Sequence, residues 1–483
     1  MLNAFSHNSR SRTILIIAGG TLVGIALGAA AALVPPFIVA AGLITLIIGA
    51  FFARSVHAML TATVLVATLL PFGTLPFKVG LTPALLELAL LALYAMLVIR
   101  WLVEGDRPLY WSELAPFVVL LLGFSFFSFI IGSGGAPSTL TIHNYFKLIL
   151  GIVLFFAIQN ALDNDTHARW MLRLLMIAGG MAALIGIVLR FAPDPFALRL
   201  LVSLAPLGYP DSGRVLRYVE DDPNGFERAI GTSVDPNGFG GMLALLGALA
   251  LSQALARDPV IKQHWAWLAT VLMAFGVFLT SSRAALGGLL VAGLFLATVR
   301  YRRLWWLIAG LGVFGIIAIV GLGKGGAFVT RIVEGIQFKD QANQMRLAEF
   351  NNAIAIIREY PIFGVGFGSA PRIDLTTGVS SVYLTLGSRM GLVGLGMYII
   401  TNIAFFIITT NAIRRSSPAL GDILVGFQAA ILAALAVGLL DHYFFNIEFP
   451  HMGTLFWLVA GVAMVFVRQG RNHKAEINVG SEE

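Results

Sequence analysis

Residues 237–256, NGFGGMLALLGALALSQALA, hold no Asp, Glu, Lys or Arg, and stretches of this kind recur along the whole chain. Apolar runs of spanning length, about 17–25 residues, fall near 13–33, 36–53, 57–72, 83–100, 114–132, 145–162, 170–191, 237–256, 265–281, 284–300, 304–323, 386–412, 420–440 and 451–468. Charged residues make up only 12% of the 483, against about 25% in soluble domains. The surface that would carry the missing charge must face lipid. Within a bilayer each backbone N–H and C=O has to be satisfied inside its own segment or in a closed barrel, and runs this long select helices. The sequence predicts an all-α integral membrane protein of about 12–14 transmembrane helices, with residues 1–483 as a single polytopic domain.

Basic residues set the orientation, because cytoplasmic connections are enriched in Lys and Arg. With the N-terminus inside, the inner connections carry Arg10, Arg12, Arg54, Arg100, Arg107, Arg169, Arg257, Lys262 and the Arg300, Arg302 and Arg303 cluster. Arg414, Arg415, Arg468, Arg471 and Lys474 complete the set, while the short outer connections at 34–35 and 133–143 have none. The net charge of +7 is thus topological and not a nucleic-acid footprint. MLNAFSHNSRSR leads straight into a spanning run, so no cleavable leader is expected. Zero cysteines exclude disulfides, thiolate metal sites and cysteine nucleophiles.

Two outer connections, 192–236 and 324–385, are far longer than the 12–15 residues above which loops are usually functional or disordered. The second contains MRLAEFNNAIAIIREYP, in which Leu347, Phe350, Ile354 and Ile357 recur at helical spacing. A helix there should stop before Pro361.

The first long loop writes DPNGF twice, at 222–226 and 235–239. The first copy reads as a turn, with Gly225 supplying a positive φ. The second copy opens a span, with Asp235 as N-cap and Pro236 at the first helical position. A helix start suits anions, and Arg228 lies just upstream, so Arg228 and Asn237 are candidate ligands of a phosphate; ordinary capping is the alternative. Arg283 sits in the tight connection TSSRA between two spans. A guanidinium there is costly; it either snorkels to headgroups or offers its planar fork to phosphate. Arg346 opens the amphipathic helix, where it either pairs with Glu349 or joins the same anion. The G-x-G-x-G of residues 364–368 follows a helix and is not a nucleotide loop. It permits close backbone approach to a sugar or phosphate at Gly366.

RAIGTSVDPNGFGG, TSSRAALGG, RLAEFNNAIAIIREYPIFGVGFG and VYLTLGSRMGLVG occur here in an order and spacing that resemble the O-antigen ligase and O-antigen polymerase family, over roughly residues 225–400. The resemblance implies a GT-C-like helical fold and a metal-independent, cofactor-free inverting glycosyltransferase of the bacterial inner membrane. Its donor would be a glycan on undecaprenyl diphosphate, used at the periplasmic face, where the two long loops would lie. Its acceptor would be a growing glycan or lipid A core, and other polysaccharide-assembly proteins are possible partners. Diphosphate binding is assigned to Arg228, Arg283, Arg346 and Asn237, and glycan or acceptor contacts to Gly366, Tyr383 and Arg389.

Ligases of that family carry a His-Asn pair just before the last motif, where this chain has Ser380 and Ser381. The departure favours polymerisation of O-antigen or exopolysaccharide repeats over ligation. His442, in Asp441-His442 at the outer end of a span, is the substitute proton acceptor; an interfacial aromatic belt with Tyr443 is the alternative reading. Arg283, Arg346 and His442 form the catalytic expectation. No spaced carboxylate or histidine cluster suggests a metal site. A lipid-linked oligosaccharide transporter is the competing class, but two related halves with matching helix breaks are not evident.

Overall fold

The computed structural model describes residues 55–76, 82–104, 109–131, 137–321, 341–368 and 379–480. The chain divides into two compact units, Met1–Met59 and Leu60–Glu483. The expected spans at 13–33 and 36–53 lie outside the described residues.

Each of the other expected spans coincides with a helix. They are α1 (Val56–Leu69), α2 (Leu85–Glu104), α3 (Ala115–Ile131), α4 (Thr139–Ala161) and α5 (Asp165–Phe191). After the short loop helix α6 (Asp194–Val202) come α7 (Pro236–Leu255), α8 (Gln263–Leu279), α9 (Arg283–Val299) and α10 (Leu304–Gly321). The amphipathic α11 (Gln341–Glu359) precedes α12 (Val382–Arg415), α13 (Pro418–Val437) and α14 (Pro450–Gly480). Eight of these are long and apolar enough to cross a membrane, and α1, α3, α8 and α9 are shorter apolar helices. The protein is a multi-pass, all-α membrane protein.

Local chemistry starts many of the helices. Ser138, Asn164, Asp235, Ser282 and Ser417 each cap one by accepting a backbone N–H from its first turn, a contact worth roughly 1 kcal/mol. At the centre stands α7, buried against α5, α8, α9 and α13. Small residues permit that proximity: a Cβ added at Gly240 would stand 2.8 Å from the Ala285 Cβ and 2.9 Å from Thr280 Oγ1.

The long helix α12 is broken at Gly391, where φ is 66°, a conformation only glycine adopts readily. The segment after α11 fills the break. Val365 N donates to Ser388 O at 2.9 Å, Gly366 N to Arg389 O at 2.9 Å, and Leu392 N to Pro361 O at 2.7 Å. The backbone groups freed by the break are thereby satisfied, as they must be in an apolar surround.

In the loop 192–236, a two-residue antiparallel ladder pairs β1 (Arg217–Tyr218) with β2 (Glu227–Arg228), and Arg217 stands opposite Arg228. The first DPNGF copy is the turn of this hairpin, with Asp222 Oδ1 accepting Asn224 N at 3.0 Å. The first copy is a turn and the second a cap, as expected, but Gly225 does not supply the positive φ; in this hairpin Glu220 at 59° and Asp221 at 57° do.

Candidate active site

The polar cluster assembles from five pieces of chain that the sequence keeps far apart. Arg228, at the end of β2, donates from Nε to the Thr280 carbonyl at 2.7 Å and from Nη2 to Asn237 Oδ1 at 2.5 Å. Ala229 N donates to Leu279 O at 3.0 Å, so β2 is stitched to the end of α8. Two residues in these turns hold positive φ without being glycine: Val234 at 59° and Ser281 at 52°. Such strain costs about 1–3 kcal/mol per residue and clusters at functional sites. Arg217 braces the first of them, its Nε reaching Val234 O at 3.3 Å.

At the start of α7 the N–H groups of Asn237 and Gly238 both go to Asp235 Oδ1, each at 2.8 Å. An anion here would meet guanidinium and amide side chains before it met the helix end. Tyr443 closes this side, hydrogen-bonded to Asp235 and Asn237.

From the opposite side α11 presents Arg346 and Glu349. The sequence stripe is only partly right: Leu347 and Ile354 are exposed, and the buried residues are Ala353 and Ile356. The inward face is set by polar pairing. Arg346 Nη2 meets Asp441 Oδ1 at 3.2 Å, and Glu349 Oε2 accepts Ser380 N at 2.9 Å. The alternative Arg346–Glu349 pair gives way to these two partners on other segments.

Asp441 is 3% exposed, and its Oδ2 is buried without a hydrogen-bond partner among the described residues. Burial pushes its carboxyl up to about 7; Arg346 and Arg228 oppose the shift, and Asp235 and Glu349 add to it. His442 is hydrogen-bonded to the backbone of Val379, while its Nδ1 is buried and unpartnered among the described residues. Burial lowers the basicity of this imidazole, with Asp235 acting against the shift and Arg346 with it. Burial likewise lowers the pKa of Arg228; Asp235, Tyr443 and Asp441 oppose this and Arg346 adds to it. Arginine stays protonated regardless.

Arg228, Asn237, Arg346 and His442 are therefore brought into one electrostatic neighbourhood. Arg283 opens α9 with an exposed side chain, three residues after the carbonyl that Arg228 holds. Gly366, Tyr383 and Arg389 gather instead around α12. Arg389 Nη1 donates to Gly366 O at 3.3 Å and Gly368 O at 2.5 Å. Tyr383 Oη donates to Leu435 O at 3.0 Å. The close approach permitted by the G-x-G-x-G glycines is made to the protein's own broken helix. Sequence reasoning named Asp441 only as the neighbour of His442, although a carboxylate at the end of an apolar run is a costly and therefore informative residue. It missed Arg217, whose place opposite Arg228 follows from a hairpin that only the fold reveals.

The fold and cluster define a polytopic helical membrane protein with a charged, buried site where α7, α11 and the end of α13 meet. Residues 268–399 match the family model for O-antigen ligase, in line with the resemblance that the sequence motifs carry. The matched segment holds Arg283, Arg346, Gly366, Tyr383 and Arg389, whereas Arg228, Asn237, Asp441 and His442 flank it. No curated protein matches the chain in sequence. A solved structure titled "Structural coordination of polymerization and crosslinking by a peptidoglycan synthase complex" is similar at 14% identity and a TM-score of 0.41, covering 73% of this chain and 96% of that one. That degree of likeness leaves the GT-C-like relation an expectation.

Proposed function

We propose that this protein is a metal-independent inverting glycosyltransferase. It uses a glycan on undecaprenyl diphosphate at the periplasmic face of the inner membrane and most readily polymerises O-antigen or exopolysaccharide repeats. The supporting observation is the convergence of Arg228 and Arg346, from elements more than a hundred residues apart, beside the same buried carboxylate. Arg346 weighs against the charge of Arg228, though less than burial does, and a diphosphate between the two would favour both guanidiniums. Guanidinium forks match phosphate oxygens in pairs. Arg283, at the start of α9, is the third arginine assigned to the donor, and Asn237 orients Arg228.

The reaction forms a bond between an acceptor hydroxyl and the anomeric carbon while the bond to the diphosphate breaks. Preorganised cations at the leaving group are worth about 10²–10³ in rate per donor. His442 offers an unprotonated Nδ1 that would accept a hydrogen bond from the hydroxyl and orient it. Its lowered basicity suits it less well to keeping the proton. Gly366, Tyr383 and Arg389 are assigned to the glycan side, around the segment that fills the α12 break.

Ser380 and Ser381 in place of the His-Asn pair support polymerisation; the ligase description of the matching family model favours transfer to lipid A core as the second reading. The lipid-linked glycans of a deletion strain separate the two. Accumulated single repeats are expected, and accumulated long polymer on undecaprenyl diphosphate would identify a ligase. An unchanged profile would reject both.

A further inference from the structure

We propose that Asp441 takes the proton from the attacking hydroxyl, and that its ion pair with Arg346 keeps it engaged until a lipid-linked diphosphate displaces it. This rests on the donor reading above and assigns the missing step. Asp441 follows the last turn of α13 with 3% exposure, and only Oδ1 is used, by Arg346 Nη2 at 3.2 Å. Oδ2 is buried with no donor among the described residues. An ion pair kept for packing alone would satisfy both oxygens, since a buried acceptor without a partner is destabilising. A base needs one oxygen not already committed to a hydrogen bond, and Oδ2, buried beside the ion pair, is that oxygen once the acceptor enters.

The groups acting on Asp441 come from each element around it. Arg346 and Glu349 come from α11, Arg228 from β2, and Asp235 from the cap of α7; Tyr443 interacts from its own segment. Arg346 is the residue shared between two duties. Its guanidinium meets a single carboxylate oxygen of Asp441, a looser arrangement than the two-pronged contact that phosphate allows. When Arg346 turns to the diphosphate, Asp441 loses its cation and becomes the stronger base. The acceptor oxygen then bonds to the anomeric carbon, and the carbon–oxygen bond to phosphate breaks with its electron pair leaving on undecaprenyl diphosphate. The hydroxyl proton passes to Asp441 Oδ2 and from there to water, which balances the step. Donor binding thus arms the base, so that activation of the hydroxyl is coupled to the donor's arrival.

Full-length protein in lipid nanodiscs tests this with Asp441→Asn and two readouts, binding of undecaprenyl diphosphate and transfer from lipid-linked glycan extracted from host membranes. Binding should be unchanged or tighter, since Arg346 no longer has a competing carboxylate. Transfer should fall by about 10²-fold or more, the scale of a lost general base, and Asp441→Glu should recover part of it. Transfer within about threefold of wild type, read as an unchanged barrier, would overturn the assignment. Diphosphate binding weakened about tenfold in Asp441→Asn would overturn it too, by showing that the pair merely supports Arg346. The donor reading fails separately, when an Arg228→Ala and Arg346→Ala double variant binds undecaprenyl diphosphate as tightly as wild type; that result would also remove the displacement.

Discussion

Glu349 reaches from α11 to the backbone of Ser380, its Oε2 accepting Ser380 N at 2.9 Å. Glu349 thus holds the backbone of the residue that stands where the resembled ligases have histidine, and His442 is hydrogen-bonded to the backbone of the neighbouring Val379. Glu349 also acts on Asp441, raising its pKa. Glu349→Gln keeps an oxygen for Ser380 and removes the charge. Asp441 must be ionised to act as a base, so transfer should rise with pH through a midpoint at or above about 7 in wild type. Without the Glu349 charge the carboxyl ionises more easily, and the rising limb should move to lower pH. A pH–rate profile that does not move would dissociate Glu349 from the proton transfer.

Lysine keeps the charge of arginine and loses its fork. Arg228→Lys cannot hold Thr280 O and Asn237 Oδ1 together, and Arg346→Lys cannot share its contact between Asp441 and phosphate. Either should lower transfer at normal expression, and alanine should lower it by about 10²–10³-fold. Arg283→Lys should be the mildest of the three because that side chain is exposed. Kinetics on the three purified variants give the ranking, and full activity in all of them would remove the diphosphate site.

Transfer should persist in excess EDTA. The cationic work is assigned to Arg228, Arg283 and Arg346, with no divalent ion between protein and phosphate. Activity abolished by chelation and restored by Mg²⁺ or Mn²⁺ would refute that assignment.

From the charge asymmetry of the connections, the 192–236 loop is expected outside and the α12–α13 turn inside. A cysteine replacing Ser212, an exposed loop residue, should react with an impermeant thiol reagent in intact spheroplasts. One replacing Ser416 should react only after permeabilisation. The opposite pattern would invert the site's orientation.

Helix positions were legible in the sequence because lipid leaves an apolar run few alternatives, and the cap at Asp235 could be read from local chemistry; the cap at Ser282 was not read. Convergence was less legible. A shared diphosphate was reason to expect Arg228 and Arg346 together, but the meeting of Arg346 with Asp441 depends on α11 reaching the end of α13, which periodicity does not encode. The stripe in α11 misled because it weighs Leu347 and Ile354 by hydrophobicity. In a membrane protein an apolar residue is at ease facing outward, while Arg346 and Glu349 are the side chains that need the interior. Hydrophobic periodicity thus identified the helix and misplaced its inward face.

The break at Gly391 has a mechanical consequence. With Pro361 O, Val365 N and Gly366 N bonded into the interrupted helix, residues 361–368 are spliced into α12, and α11 is joined to that splice through Tyr360. The helix carrying Arg346 is thus moored to a membrane-spanning rod. The place of Arg346 opposite Asp441 is thus set twice, by its own ion pair and by covalent continuity through Tyr360 with the segment spliced into α12.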